Sequence, residues 1–253
     1  MGVYNDQGVV LRTHRLGEAD RIITILTRQH GKLRGVAKGV RRTSSKFGAR
    51  LEPFARVDLQ VTEGRTLDIF TSVVSIDLFG KGFMGDYQLY TAAEVMVEVA
   101  DILVAEEQTP ALRHYLLLTG ALRALSEGTS DGPRPALMIL DSYLLRATAL
   151  AGYAAQLTDC AICGAPGLQG FFHPASGGMV CARCRPPGSV AVSPATVAYL
   201  WALSDGDWPS TREVGGARVR EASGLIHAFL NWHLGRAIRS LSYFERDDSP
   251  TME

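Results

Sequence analysis

Two short cysteine pairs constrain this chain more than any other feature. Cys160-Ala-Ile-Cys163 and Cys181-Ala-Arg-Cys184 are separated by 17 residues. A Cys-x2-Cys turn presents two thiols to one side, so two such turns at this distance can bring four sulfurs around a single ion. Four thiolates closing a tetrahedron fit Zn²⁺, and four protein ligands leave the metal no open position, so the expected role is structural. Gly164, Gly177 and Gly178 supply the backbone freedom such turns need. The other readings are two reduced dithiols or a redox pair, but a thioredoxin-like site would sit beside a βαβ unit and none is visible. His173, between the pairs, is an alternative fourth ligand. Phe171 and Phe172 follow the first pair, either covering a small ribbon core or stacking on bases.

Around this insert the chain changes texture. Residues 1 to 80 read as five short strands. Val9–Leu11 is a short apolar run and Arg21–Thr27 is rich in β-branched residues. Lys32–Ala37 follows the His30-Gly31 turn. Arg56–Thr62 and Leu67–Ile76 alternate strictly around Glu63-Gly64-Arg65. Five strands with turn chemistry between them suit a small closed barrel, because closure removes exposed edges. An OB-fold barrel is the natural candidate. Gly80, Gly82 and Gly85 mark a linker, after which apolar residues recur at helical spacing. Helices are expected over Asp86–Ala105, from Thr109-Pro110 to Gly128, from Pro135 toward Gly152, from Ser193-Pro194 onward, and from Gly216 to about Leu241. The predicted fold class is therefore α+β. An OB-fold domain (1–80) precedes an all-α domain (81–157 and 189–245) interrupted by a zinc ribbon (158–188), with a polar tail at 246–253.

The composition is ordinary for a globular protein, and the net charge is zero but unevenly spread. The first 80 residues hold 13 bases and 8 acids. Eight of those bases fall between Arg28 and Arg50, a stretch without one acidic residue. Unopposed cations among glycines suit a polyanion, most often a phosphodiester backbone. The candidate contacts are Lys32, Arg34, Lys38, Arg41, Arg42, Lys46 and Arg50, on the third strand and in the loop before the fourth. Two plainer readings stay open: a solvated loop, or a basic face in a zinc-bearing protein-interaction or RNA-binding module. Phe47, the aromatic inside this loop, either stacks on a base or packs onto the barrel end.

Enzyme signatures are missing. The chain has no Gly-x4-Gly-Lys-Ser/Thr loop, no Gly-x-Gly-x2-Gly fingerprint and no Gly-x-Ser-x-Gly elbow. Its adjacent acids Glu106-Glu107 and Asp247-Asp248 point apart on a helix, and no carboxylate cluster suits Mg²⁺. A non-enzyme is expected. No charged-then-apolar leader and no run of about 20 apolar residues is present, so the expected compartment is the cytoplasm, with thiols reduced or metal-bound.

Residues 17 to 54 carry a resemblance. Gly17-Glu-Ala-Asp-Arg21, Leu26-Thr27, His30-Gly31-Lys32, Val36-Ala37-Lys38-Gly39, Arg41-Arg42, Ser45-Lys46 and Leu51-Glu-Pro-Phe54 resemble the N-terminal domain of the bacterial RecO recombination mediators. The order of barrel, helical domain, four-cysteine insert and terminal Leu234-Gly-Arg-Ala-Ile-Arg-Ser240 is similar to that family too, with Arg239 where a lysine is common. The resemblance implies a DNA repair protein of homologous recombination. It implies binding to single- and double-stranded DNA and annealing of strands coated by single-stranded DNA-binding protein (SSB). It further implies cooperation with RecR to load RecA, capture of the acidic, Phe-terminated tail of SSB, and work at the bacterial nucleoid during repair. By analogy the tail belongs on the helical domain, where Arg113, Arg123 and Arg146 are candidate cations. Arg183 and Arg185, beside the second cysteine pair, are further candidates for DNA contact.

Overall fold

The computed structural model describes residues 2–247. Of the polar tail expected at 246–253, everything from residue 248 lies outside the described residues.

Five strands close into a barrel in the order β1-β2-β3-β5-β4: β1 (Val3–Leu16), β2 (Asp20–Thr27), β3 (Lys32–Ala37), β4 (Ala55–Thr62) and β5 (Asp68–Leu78). β1 serves two partners. Its first half pairs with β4 and its second half with β2, with a register shift between Val10 and Arg12. Closure comes from a short parallel contact, Gly35 with Asp68 and Val36 with Ile69. A Cβ on Gly35 would lie 2.7 Å from the Phe70 ring, so the missing side chain leaves room for Phe70 to fill the barrel. Val10, Ile23, Ile25, Val57, Leu59 and Val61 complete that interior.

Because neighbouring strand residues face opposite ways, Val9, Leu11 and Leu26 point out of the barrel. There they join the core of the helical part. That part consists of α1 (Tyr87–Leu103), α2 (Leu112–Glu127), α3 (Ala136–Leu150), α4 (Pro194–Asp205), α5 (Gly216–Leu234) and α6 (Leu241–Asp247). Asp86 caps α1 by accepting the Leu89 N–H at 3.0 Å, and Ser193 caps α4 by accepting the Thr196 N–H at 3.1 Å. Between α3 and α4 lies a small ribbon of β6 (Phe171–His173), β7 (Gly178–Val180) and β8 (Val190–Ala191). No helix of the described residues is long and apolar enough to cross a membrane.

Three elements differ from the sequence expectation. β1 is far longer than Val9–Leu11, because its polar ends are held by ladder bonds rather than by burial. α2 starts at Leu112, not at Thr109-Pro110, because residues 107–109 dock on the barrel instead. The Gln108 N–H donates to the Lys32 carbonyl at 2.9 Å, and a Cβ on Gly31 would meet the Thr109 carbonyl oxygen at 1.8 Å. Finally, α5 stops at Leu234, where Gly235 turns left-handed at φ 61°. Trp201 of α4 and Trp232 of α5 are exposed.

Charged residues tie the two parts together. Asp101 of α1 receives Lys32 Nζ at 3.1 Å and Arg12 Nε at 3.0 Å. Asp77 of β5 receives Arg56 at 2.8 Å and Arg123 of α2 at 3.3 Å.

Candidate nucleic-acid interface and metal site

The stretch between β3 and β4 is a structured arm, fixed at both sides. The Gly39 N–H donates to Asp20 Oδ1 at 2.7 Å, and the Arg41 N–H to the Ala19 carbonyl at 2.9 Å. The Arg41 guanidinium donates to the carbonyls of Gly17 and Glu18, at 3.2 and 2.8 Å, in the β1–β2 turn. Lys46 Nζ donates to the Thr71 carbonyl of β5 at 2.8 Å. Phe47 is 1% exposed and belongs to the barrel core, so it anchors the arm and offers no face to a base. Leu51 is buried beside it, in the 3-10 turn Gly48–Leu51.

Lys38, Arg41, Arg42, Lys46 and Arg50 are exposed, and none makes an ion pair among the described residues. The groups holding Arg41, Lys46 and Arg50 are neutral carbonyls, which orient a cation without neutralising it. Five full charges therefore remain on one clamped arm.

Lys32 and Arg34 stand apart from these five. Lys32 is 7% exposed and bonded to both the carbonyl and the carboxylate of Asp101. A phosphate would have to displace that pair from the barrel–helix junction, so Lys32 is placed as a structural cation. Arg34 is half-buried and faces Glu107 at 3.4 Å. Nothing in the sequence spacing distinguishes these two cations from the others, because Asp101 and Glu107 lie more than 60 residues away along the chain.

Asp6 escaped sequence reading altogether. Buried to 3%, it accepts the N–H groups of Gln29 and His30, both at 3.1 Å, and faces His30 Nδ1 at 2.7 Å. It thereby shapes the β2–β3 turn that leads into the basic segment.

The sulfur atoms of Cys160, Cys163, Cys181 and Cys184 all lie within 4.8 Å of one another, and Cys163 to Cys181 is 4.0 Å. A tetrahedral ion with metal–sulfur bonds of about 2.3 Å requires sulfur separations of about 3.8 Å, so the set fits. Backbone N–H groups of Cys163 and Cys181 lower the Cys160 thiol to about 6. Cys184 is pushed up to about 12 by its hydrogen-bonding neighbours Cys163 and Cys181, since a further negative sulfur is unfavourable beside them. A cation removes that conflict, and the four cysteines can hold a metal ion. His173 is not part of the cluster; its Nδ1 faces Ser176 Oγ at 2.8 Å. Phe172 packs on Phe229 of α5 at 6.3 Å between centroids, seating the ribbon on the helices, while Arg185 covers the Phe171 ring at 4.4 Å.

Arg113, Arg123 and Arg146 all line adjoining recesses between α2 and α3. Leu116, Leu117 and Arg146 are common to both recesses, with Arg113 in one and Arg123 in the other. Leu116 is 54% exposed there, an apolar floor between cations.

A closed five-stranded barrel with a clamped cationic arm, built onto helices that carry a four-cysteine ribbon, defines an OB-type barrel protein with a helical domain and an inserted ribbon whose cysteines can hold a metal ion. Residues 1–79 match the family Recombination protein O N terminal, and residues 84–242 match Recombination protein O C terminal. The chain belongs to this RecO family. It is 55% identical over 246 residues to a protein of Cutibacterium acnes, covering 97% of this chain and 100% of the relative. It is 51% identical to a protein of Nocardioides sp., over 96% of this chain and 100% of the relative. The identity to a Thermobifida fusca protein is also 51%, over 97% and 100%. All three are named DNA repair protein RecO.

Proposed function

We propose that this protein is a DNA repair and recombination mediator that binds single- and double-stranded DNA without sequence preference and anneals complementary strands coated with SSB. The observation that carries this reading is the arm of five unpaired cations, Lys38, Arg41, Arg42, Lys46 and Arg50, clamped against the barrel. Cations meeting phosphate read no bases, so binding is independent of sequence. Annealing follows from the same physics. Bound cations screen two strands that otherwise repel, and exchangeable phosphate contacts let them slide until they find register. No step in this scheme consumes a nucleotide, and the protein acts as a non-enzyme in the cytoplasm.

The relatives' name and the family match support a role in DNA repair and recombination, and we extend that role to the RecR-assisted loading of RecA. The groove between α2 and α3 suits the acidic, Phe-terminated tail of SSB: Arg113, Arg123 and Arg146 meet the acids, and the Leu116–Leu117 floor takes the aromatic end. The metal in the four-cysteine site is one Zn²⁺ with a structural role, fixing the ribbon on α5. Residues 1–80 act as the nucleic-acid unit and residues 81–157 with 189–245 as the partner-binding unit, with the ribbon at 158–188 inserted into the latter.

The test is fluorescence annealing of complementary oligonucleotides precoated with SSB, with and without its C-terminal tail. Acceleration that needs the tail and is lost in the Arg41→Glu/Arg42→Glu protein supports the mediator. No acceleration by a folded, metal-bound protein contradicts it and favours a basic protein-interaction module.

A further inference from the structure

Of the three cations around the α2–α3 groove, Arg123 alone is already engaged. Arg113 and Arg146 make no ion pair among the described residues. Arg123 lines the recess of about 330 Å³ together with Leu116, Gly120 and Ile139. Its Nη2 nevertheless faces Asp77 Oδ2 of β5 at 3.3 Å, and its Nε faces Glu127 Oε2 of α2 at 4.0 Å. A cation of the groove is therefore also a tie between the helices and the barrel.

That tie is easily exchanged. The Arg123 side chain is 46% exposed, and exposed pairs contribute little to stability. Asp77 does not depend on it. Arg56 holds the same carboxylate oxygen at 2.8 Å from a side chain that is only 19% exposed. Arg56 also donates to the Tyr115 hydroxyl of α2 at 3.2 Å and to Gln7 at 3.4 Å. When Arg123 turns away, Asp77 keeps Arg56 and no buried charge is left alone. The guanidinium can then meet an acid arriving in the groove.

The tie sits where the barrel passes into the helices. Asp77 is the next-to-last residue of β5. Phe79, which opens the 3-10 turn Phe79–Lys81, is buried, and its ring centroid lies 6.0 Å from the Arg123 guanidinium carbon. Gly82, just after that turn, packs so closely on α2 that a Cβ there would clash with Ser126. Arg123 thus covers the last residues of the barrel at the point where the linker lies against α2.

We propose that Arg123 is shared between groove and barrel, so that an acidic peptide entering the groove takes it from Asp77 and releases one charged tie at the linker. Asp77 and Glu127 act as internal competitors of the peptide's carboxylates. The proposal rests on the reading of the α2–α3 groove as the site of an acidic tail and adds to that site a coupling to the barrel. Coupling of this kind is reciprocal: whatever frees Arg123 from Asp77 strengthens peptide binding.

A double-mutant cycle measures the competition. The probe is a fluorescein-labelled peptide of aspartates ending in phenylalanine, titrated with the protein and followed by anisotropy. Asp77→Asn keeps a neutral acceptor for Arg56 and removes the charge that holds Arg123. It is expected to tighten peptide binding about two- to fivefold, the range of an exposed ion pair. In the Arg123→Gln background the same change should have no effect. Glu127→Gln alters a side chain that is 61% exposed and leaves the barrel untouched. It should act in the same direction and lose its effect in the same background, which keeps the test decisive if Asp77→Asn lowers stability. No tightening in either variant, or equal tightening with and without Arg123, overturns the proposal. If Arg113→Gln/Arg146→Gln still abolishes peptide binding in that case, the groove stands as a tail site uncoupled from the barrel. If that pair of changes leaves peptide binding intact, the groove reading fails and the coupling with it.

Discussion

Lys32→Met separates a cation that binds nucleic acid from one that holds the molecule together. Lys32 lies within the basic stretch and by sequence belongs with its neighbours. In the structure its ammonium group donates to the Asp101 carbonyl at 2.9 Å and to Asp101 Oδ1 at 3.1 Å, with the side chain 9% exposed. Methionine keeps an unbranched chain of similar length and removes the charge. Two hydrogen bonds are lost, and the half-buried Asp101 carbonyl loses this donor. Asp101 itself keeps Arg12 at 3.0 Å and so is not stranded as a lone buried charge. Breaking a fully isolated buried pair costs about 3–5 kcal/mol, whereas a hydrogen bond to a charged group is worth about 1.5–3, so about 2 kcal/mol is expected here. For a chain of this size that lowers Tm by about 4–8 °C. The salt slope of DNA binding, measured well below the transition, should match the parent. A slope reduced by about one contact together with an unchanged Tm would refute the placement of Lys32 in the junction.

Three further outcomes follow from the geometry. Chelation, or replacement of Cys163 by alanine, should lower Tm and leave less than one metal per chain by elemental analysis; full thermal stability without metal would contradict a structural site. Gly31→Ala should destabilise by at least about 2 kcal/mol in denaturant unfolding, from its left-handed φ of 69° and the clash with the Thr109 carbonyl. Asp131, bonded first by Arg212 and also by Arg134, has its pKa lowered from 3.8 to about 2. A depressed acid stabilises the fold above its unfolded pKa and loses that contribution as pH falls from about 4 toward 2. In Asp131→Asn that part of the acid dependence should disappear from unfolding curves, and an unchanged profile would show that the pair contributes nothing.

Alternation made β4 legible, because Val57, Leu59 and Val61 repeat at the strand period on the buried face, whereas in β5 a register shift opposite Gln60 and Val61 turns Phe70 and Val73 inward and breaks the expected alternation. The cysteine spacing made the metal site legible for a similar reason: local geometry follows directly from local sequence. The ends of β1 carry no such signal, since Val3–Asp6 and Arg12–Leu16 alternate in no simple way and are held by long-range ladder bonds. Helix starts at Ser193 and Asp86 could be read because a capping side chain acts within its own turn. Thr109 could not, because a distant strand claims that backbone. The basic stretch was readable as a unit, but its division into an exposed arm and a buried Lys32 depends on Asp101, 69 residues away. Asp6, which anchors a turn through backbone N–H groups, leaves no pattern in the sequence at all.

The central claim is that the clamped arm neutralises phosphates. It is tested most directly by the salt dependence of binding to an oligothymidylate of about 10 nucleotides. Five unpaired cations predict a log–log slope of about −3.5 for the parent protein. For Arg41→Glu/Arg42→Glu the slope should be about −2 or shallower, with affinity reduced and folding intact. A parent slope near zero, or the same slope in both proteins, would contradict the account.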